Sequence, residues 1–188
     1  MKFCSNCGNS VAWIIPEGDN RPRHVCNNPL CGSIHYDNPR IITGSIPTHG
    51  DQVLLCKRAI EPRYGLWTLP AGFLENGETT EEGAKRESWE EAKAKLNVEQ
   101  LYTLFELPHI NQVYFFYKAS LTDMMFGAGA ESLEVKLFSE KEIPWDQIAF
   151  PAVFATLKYF FNDLKRENFQ FRSHILDNTE NKEIGNPK

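Results

Sequence analysis

Carboxylates crowd one short stretch of this chain. Residues 86–92 read Arg-Glu-Ser-Trp-Glu-Glu-Ala, so on a helix Glu91 lies four positions after Glu87 and Glu90 three. All three side chains can turn toward one point. Like charges at such spacing cost a bare helix roughly 0.2–0.5 kcal/mol per pair, so the arrangement calls for a cation. Hard oxygen ligands suit Mg²⁺ or Mn²⁺, with phosphate oxygens and water completing the octahedron. A solvated acidic face is the plainer alternative, and two residues weigh against it. Arg86 precedes Glu90 by four and offers an internal counter-charge, and Glu78 stands in the loop before the helix, just after Gly77.

A second set of ligands lies near the N-terminus. Cys4 and Cys7 form one hook and Cys26 and Cys31 another, each followed directly by glycine, Gly8 and Gly32. Two thiolate pairs facing each other make a closed tetrahedral S4 site, which is structural rather than catalytic and suits Zn²⁺. The glycines allow the positive φ that such turns often need. His24 and His35 lie close enough in sequence to replace a cysteine, although a polar strand or surface position suits each better. The fifth cysteine, Cys56, sits in the apolar run Val53-Leu54-Leu55-Cys56 and reads as a buried strand residue.

These groups need elements to position them. Segments 41–46 and 52–57 are aliphatic and read as strands joined by a turn at 47–50; 66–69, 101–107, 112–121 and 134–138 follow as strands. The segment from Thr79 to about Leu96 reads as a helix, since Thr79 and Glu82 compose a capping box and Glu81 and Glu82 complement the helix dipole. A last helix spans about 151–165, with Val153, Phe154, Leu157, Phe160, Phe161 and Leu164 at core spacing. The fold class is therefore α/β with a mixed sheet. Three regions result: a metal-stapled module over 1–36, the main domain over 37–167, and an Asn/Glu/Lys-rich tail over 168–188, expected to be partly disordered.

With 41% hydrophobic residues the chain can fill a core, and its net charge of −5 gives no overall field toward nucleic acid. No apolar run approaches a membrane span, and residues 1–4 do not resemble a secretory signal, so a soluble, cytoplasmic protein without a membrane partner is expected. A homodimer is compatible with this reading.

Taken together, Gly72, Glu78, Arg86, Glu87, Glu90 and Glu91 resemble the Nudix box, G-x5-E-x7-R-E-U-x-E-E-x-G-U with U aliphatic. Six such matches arise by chance on the order of once in a hundred thousand chains of this length. Ser88 departs from the aliphatic position and Lys93 from the second glycine. The likeness covers roughly residues 4–165 and extends to the cysteine module and the Leu66-to-Gly72 approach, the layout of zinc-ribbon Nudix proteins. It implies a Nudix-type α/β/α sandwich behind a small zinc ribbon. The Glu131-to-Glu134 stretch and the C-terminal third look like the branch containing FAD and ADP-ribose pyrophosphatases. The S-Q-P-W-P-F-P mark of NADH pyrophosphatases is missing from Leu107-to-Val113.

The resemblance implies that Glu87 and Glu91 ligate catalytic Mg²⁺, with Glu90 and the carbonyl of Ala71 or Gly72 assisting. Arg86 would hold the carboxylates, and Glu78 would support the loop or a second metal. Glu134, or failing it Glu131, is the candidate general base. Arg58 and Arg63 could meet phosphate oxygens or serve the surface. The activity implied is hydrolysis of a nucleoside diphosphate linked to another group, with ADP-ribose or FAD favoured over NADH. The competing reading is a silent nucleotide-sensing or RNA-binding zinc-ribbon protein.

Overall fold

The computed structural model describes residues 1–177. Contacts divide it into two compact units, Met1–Pro39 and a second beginning at Arg40. In the first, β1 (Val11–Ile14), β2 (Arg23–Cys26) and β3 (Ile34–His35) form an antiparallel sheet in the order β1-β2-β3. Gly8 and Gly32 do take positive φ, 74° and 57°, as the cysteine hooks require.

The second unit runs β4 (Arg40–His49), β5 (Gln52–Arg58), β6 (Trp67–Thr68), β7 (Ala71–Phe73), α1 (Thr80–Ala92), β8 (Leu96–Leu107), β9 (Gln112–Leu121), β10 (Ser132–Phe138), α2 (Pro151–Arg166) and β11 (Arg172–Ile175). Its sheet has the order β10-β5-β4-β9-β8-β11, with β6 beside β5 and β7 beside β4. The β4–β9 and β8–β11 pairs are parallel and the others antiparallel, so the sheet is mixed as expected.

Strand alternation splits the core in two. Val53 and Leu55 of β5 join Phe105, Phe116 and the Leu157, Phe160 and Phe161 face of α2. Leu54 and Cys56, pointing the other way, pack with Ala92 and Ala94 at the end of α1. The sheet therefore lies between the helices, an α/β/α sandwich. No helix among the described residues is long and apolar enough to cross a membrane.

Three expectations are corrected. Helix α1 stops at Ala92 rather than near Leu96, because Lys93 enters the left-handed region (φ 52°) and its N–H turns back to the carbonyls of Ser88 and Trp89. Strand β4 continues through Pro47 to His49, where Pro47 lies opposite Ala119 of β9, and the turn falls at Gly50 and Asp51. Arg172–Ile175, expected in the tail, forms β11 against β8. The rest of that expectation, residues 178–188, lies outside the described residues.

Candidate active site and zinc module

Helix α1 is fixed at its start by the capping box: the Thr79 hydroxyl accepts the Glu82 N–H, and the Glu82 carboxylate accepts the Thr79 N–H. Its middle is fixed by Ser88, the residue that departs from the aliphatic pattern. The Ser88 hydroxyl is fully buried and donates to the Ala84 carbonyl at 2.7 Å, so its single proton is committed. It must then accept from Ser45 of β4, 2.7 Å away. A hydroxyl pair thus replaces an apolar contact between helix and sheet with both groups satisfied.

Arg86 uses all five guanidinium N–H groups. Nε and one Nη2 proton grip the two Glu78 oxygens at 3.0 and 2.8 Å. The other Nη2 proton goes to the Phe73 carbonyl, and Nη1 donates to Glu87 and Glu90 at 2.7 and 2.9 Å. Glu78 also accepts the Glu75 N–H at 2.7 Å. Glu78 thus ties the loop at Glu75 to Arg86 on the helix. The Arg86 guanidinium and the Glu75 N–H hold its carboxyl below the usual range.

Glu87 and Glu91 are buried on the same helix face. Burial pushes the Glu91 carboxyl up to about 8, and the neighbouring Glu87 adds to this; Arg58 and the Ala71 N–H oppose it without prevailing. Burial raises Glu87 as well, against the pull of Arg86. Glu90 is half-exposed and turned onto Arg86. The expected convergence of Glu87, Glu90 and Glu91 is thus incomplete: among the described residues only the four cysteines gather three or more such ligand atoms, all within 4.8 Å of one another. A cation nevertheless fits beside Glu87 and Glu91. Glu91 Oε2 is buried with no hydrogen-bond partner, and two hard carboxylates side by side are a divalent-cation donor set. Gly72 leaves the approach clear, since a Cβ there would fall 2.3 Å from the Glu87 carboxylate.

These groups open into a cleft of about 640 Å³, which Ala71, Glu75, Glu90, Arg58 and Glu131 also line. Glu131, the second choice for a base, is in the cleft. Glu134, the first choice, is exposed, pairs with Lys57 in the sheet and does not line the cleft. The loop before β10 decides this: Gly129 donates to the Glu91 carbonyl at 2.9 Å and packs so closely that a Cβ would meet the Glu90 carbonyl at 1.7 Å. Arg58 is buried, its Nε bonded to the Pro62 carbonyl, whereas Arg63 is exposed and lines no cavity described here. A second, mainly apolar chamber of about 380 Å³ adjoins the cleft through Arg58, Pro62 and 71–73. In β9 Tyr114 and the buried Phe116 both line this chamber. Sequence reading missed His109, Gln112 and Phe150, which also line it. The available signals were a Pro108 turn between two strands and Phe150-Pro151 opening a helix.

In the N-terminal unit the sulfurs pair across the hooks, Cys4 to Cys31 at 3.8 Å and Cys7 to Cys26 at 3.4 Å. Hydrogen bonds from Asn9 push the Cys7 thiol down to about 6. Four thiols gathered in this way can hold one tetrahedral metal ion. His35 supports the set instead of replacing a member, its Nε2 lying 3.2 Å from Cys4 Sγ. His24 packs on Trp13 and meets the N-terminal amine.

A sandwich carrying a glutamate helix over a cleft, following a four-cysteine module in the chain, defines a class of metal-dependent hydrolase. Family models agree along the chain, "Nudix N-terminal" matching residues 2–37 and "NUDIX domain" residues 39–158. The chain belongs to the Nudix hydrolase family. It is similar to a crystal structure of a Nudix hydrolase from Nitrosomonas europaea, with 50% identity and a TM-score of 0.90, covering 94% of this chain and 99% of that one. It is 30% identical over 118 residues to the ADP-ribose pyrophosphatase of Methanocaldococcus jannaschii, covering 58% of this chain and 67% of the relative. It is 34% identical over 99 residues to the NAD-capped RNA hydrolase NudC of Chromobacterium violaceum, covering 50% of this chain and 33% of that protein. The match thus spans about a third of the NudC relative's length.

Proposed function

We propose that this protein hydrolyses the diphosphate of a nucleoside diphosphate linked to a second group, with Mg²⁺ or Mn²⁺ held by Glu87 and Glu91 and Glu90 joining when it turns from Arg86. The observation that carries the reading is the unpartnered Glu91 oxygen beside Glu87 in the cleft. The cation supplies charge neutralisation at the diphosphate oxygens and an electrophilic pull on phosphorus. Arg86 keeps Glu87 in place, and Ala71 anchors Glu91 through its N–H. Glu131 takes a proton from the attacking water as the new O–P bond forms and the bridging P–O bond breaks. Glu134 has no place in this scheme.

ADP-ribose or FAD, cleaved to AMP and the other phosphate-bearing half, are the favoured substrates. The likeness to a named ADP-ribose pyrophosphatase supports the former. NAD-type dinucleotides form a second reading, favoured by the NudC relatives. Against it stands the missing S-Q-P-W-P-F-P mark in the 107–113 segment, which here closes β8, makes a turn and opens β9 beside the apolar chamber. The test is kcat/KM over ADP-ribose, FAD, NADH, dinucleoside polyphosphates and NTPs, with and without Mg²⁺. An NTP or NADH outperforming both favoured substrates by tenfold overturns the substrate assignment. Turnover of none overturns the hydrolase site.

A further inference from the structure

Lys93 stands where the Nudix box has its second glycine, and it lines the carboxylate cleft. Its φ of 52° is left-handed, a conformation that strains a side chain and that glycine adopts freely. Arg63, Asn111 and Glu167 are the other residues besides glycine with positive φ among the described residues, and none of them lines the cleft. A strained residue kept at a cleft position that glycine would suit points to a use for its side chain. That side chain ends in a free charge. The Lys93 ammonium lies 5.5 Å from the ring centre of the half-exposed Trp89, and it forms no ion pair or hydrogen bond among the described residues.

Six carboxylates line this cleft against three cations, so an incoming diphosphate is repelled unless positive charge is placed to receive it. Arg86 has committed every N–H to protein partners. Arg58 is buried, with its Nε bonded to the Pro62 carbonyl. Lys93 is the exposed member of the three. We propose that Lys93 is a substrate-binding residue whose ammonium receives a non-bridging oxygen of the diphosphate on the solvent side of the cleft. This inference rests on the diphosphate-cleaving reading above. An exposed ammonium in water attracts phosphate only modestly, so the effect falls on substrate affinity and not on the chemical step.

Isothermal titration of the whole protein in Mg²⁺ uses α,β-methylene-ADP, a diphosphate analogue whose carbon bridge cannot be hydrolysed. Lys93→Met keeps the stem and removes the charge, and Lys93→Gly also relieves the backbone. Each is expected to weaken binding by about fivefold, the scale of an exposed ion pair, while Lys93→Arg keeps affinity within about twofold. The gap between wild type and Lys93→Met closes as salt rises from about 0.05 M to about 0.5 M, which a packing effect would not show. Lys95→Met removes the same charge from an exposed neighbour that does not line the cleft, and it leaves binding within about twofold. In steady-state assays KM of Lys93→Met rises and kcat holds. Lys93→Met binding as tightly as wild type overturns the inference and leaves the cleavage reading standing, as does an equal loss in Lys95→Met. A wild-type protein that neither binds the analogue nor cleaves any linked diphosphate refutes that reading itself.

Discussion

Glu87 and Glu91 were legible as a pair because a helix has a fixed period, and they share a buried face. Glu87→Gln and Glu91→Gln are each expected to lower kcat by at least ~10²-fold with the far-UV spectrum unchanged. Near-normal turnover of either at saturating Mg²⁺ removes it from essential ligation. The cleft position of Glu131 over Glu134 was less legible, because both follow a loop whose path depends on the contact of Gly129 with α1. Glu131→Gln is expected to slow kcat by ~10²-fold, within the range for general bases, and Glu134→Gln to leave it within about twofold. The reverse order in steady-state assays returns the role to Glu134. Ser88 was legible only as a departure; its partner Ser45 lies far away in sequence and became visible in the sheet.

Elements were readable where local chemistry determines them. The capping box starts α1 as expected, and β9 has the expected bounds. The end of α1 was misjudged because Lys93 has no intrinsic preference for the left-handed conformation that the fold imposes there. Lys93→Gly is therefore expected to stabilise the fold by about 0.5–1 kcal/mol, read as a higher denaturation midpoint. An unchanged or lower midpoint shows that the contact of Lys93 with the Trp89 ring outweighs the backbone relief. Strand β11 was invisible because Arg172-Ser173-His174-Ile175 has no alternating pattern; what holds it is distant. Arg172 grips the buried Asp163 of α2 through two bonds of 2.6 and 2.7 Å, and Tyr102 of β8 donates to the same carboxylate at 2.7 Å. Burial alone would raise the Asp163 carboxyl, but the bonds from Arg172 and Tyr102 prevail and hold it below 3.8. Its contribution is thus full above the unfolded value and lost as pH falls through the lower folded one. Arg172→Leu should cost about 3 kcal/mol at pH 7 and progressively less below about pH 4. Equal losses at both pH values, measured by urea unfolding, would sink the ion-pair explanation.

At the scale of the molecule, the division after Pro39 separates a unit that builds its own core from one too short to do so. The Met1–Pro39 unit gathers its four cysteines at one point and is expected to depend on a metal held there. Protein purified without chelators is expected to carry about one zinc per chain, and a strong chelator should collapse the amide dispersion of residues 1–39. Absence of zinc together with four freely titrating thiols would refute this.

The docking of β11 reaches beyond the stability of one chain. In its place it lies along the outer side of β8, and the matched family pattern ends before it, at residue 158. A chain ending at Arg166 would uncover Thr103–Glu106, the four residues of β8 that β11 pairs with, and lengthen the border open to the same edge of another copy. Such a shortened protein should be expressed and then precipitate or polymerise through its sheets, visible as growing light scattering at constant temperature. The strand hidden in an unpromising polar tail would then be what closes this part of the sheet to a second copy.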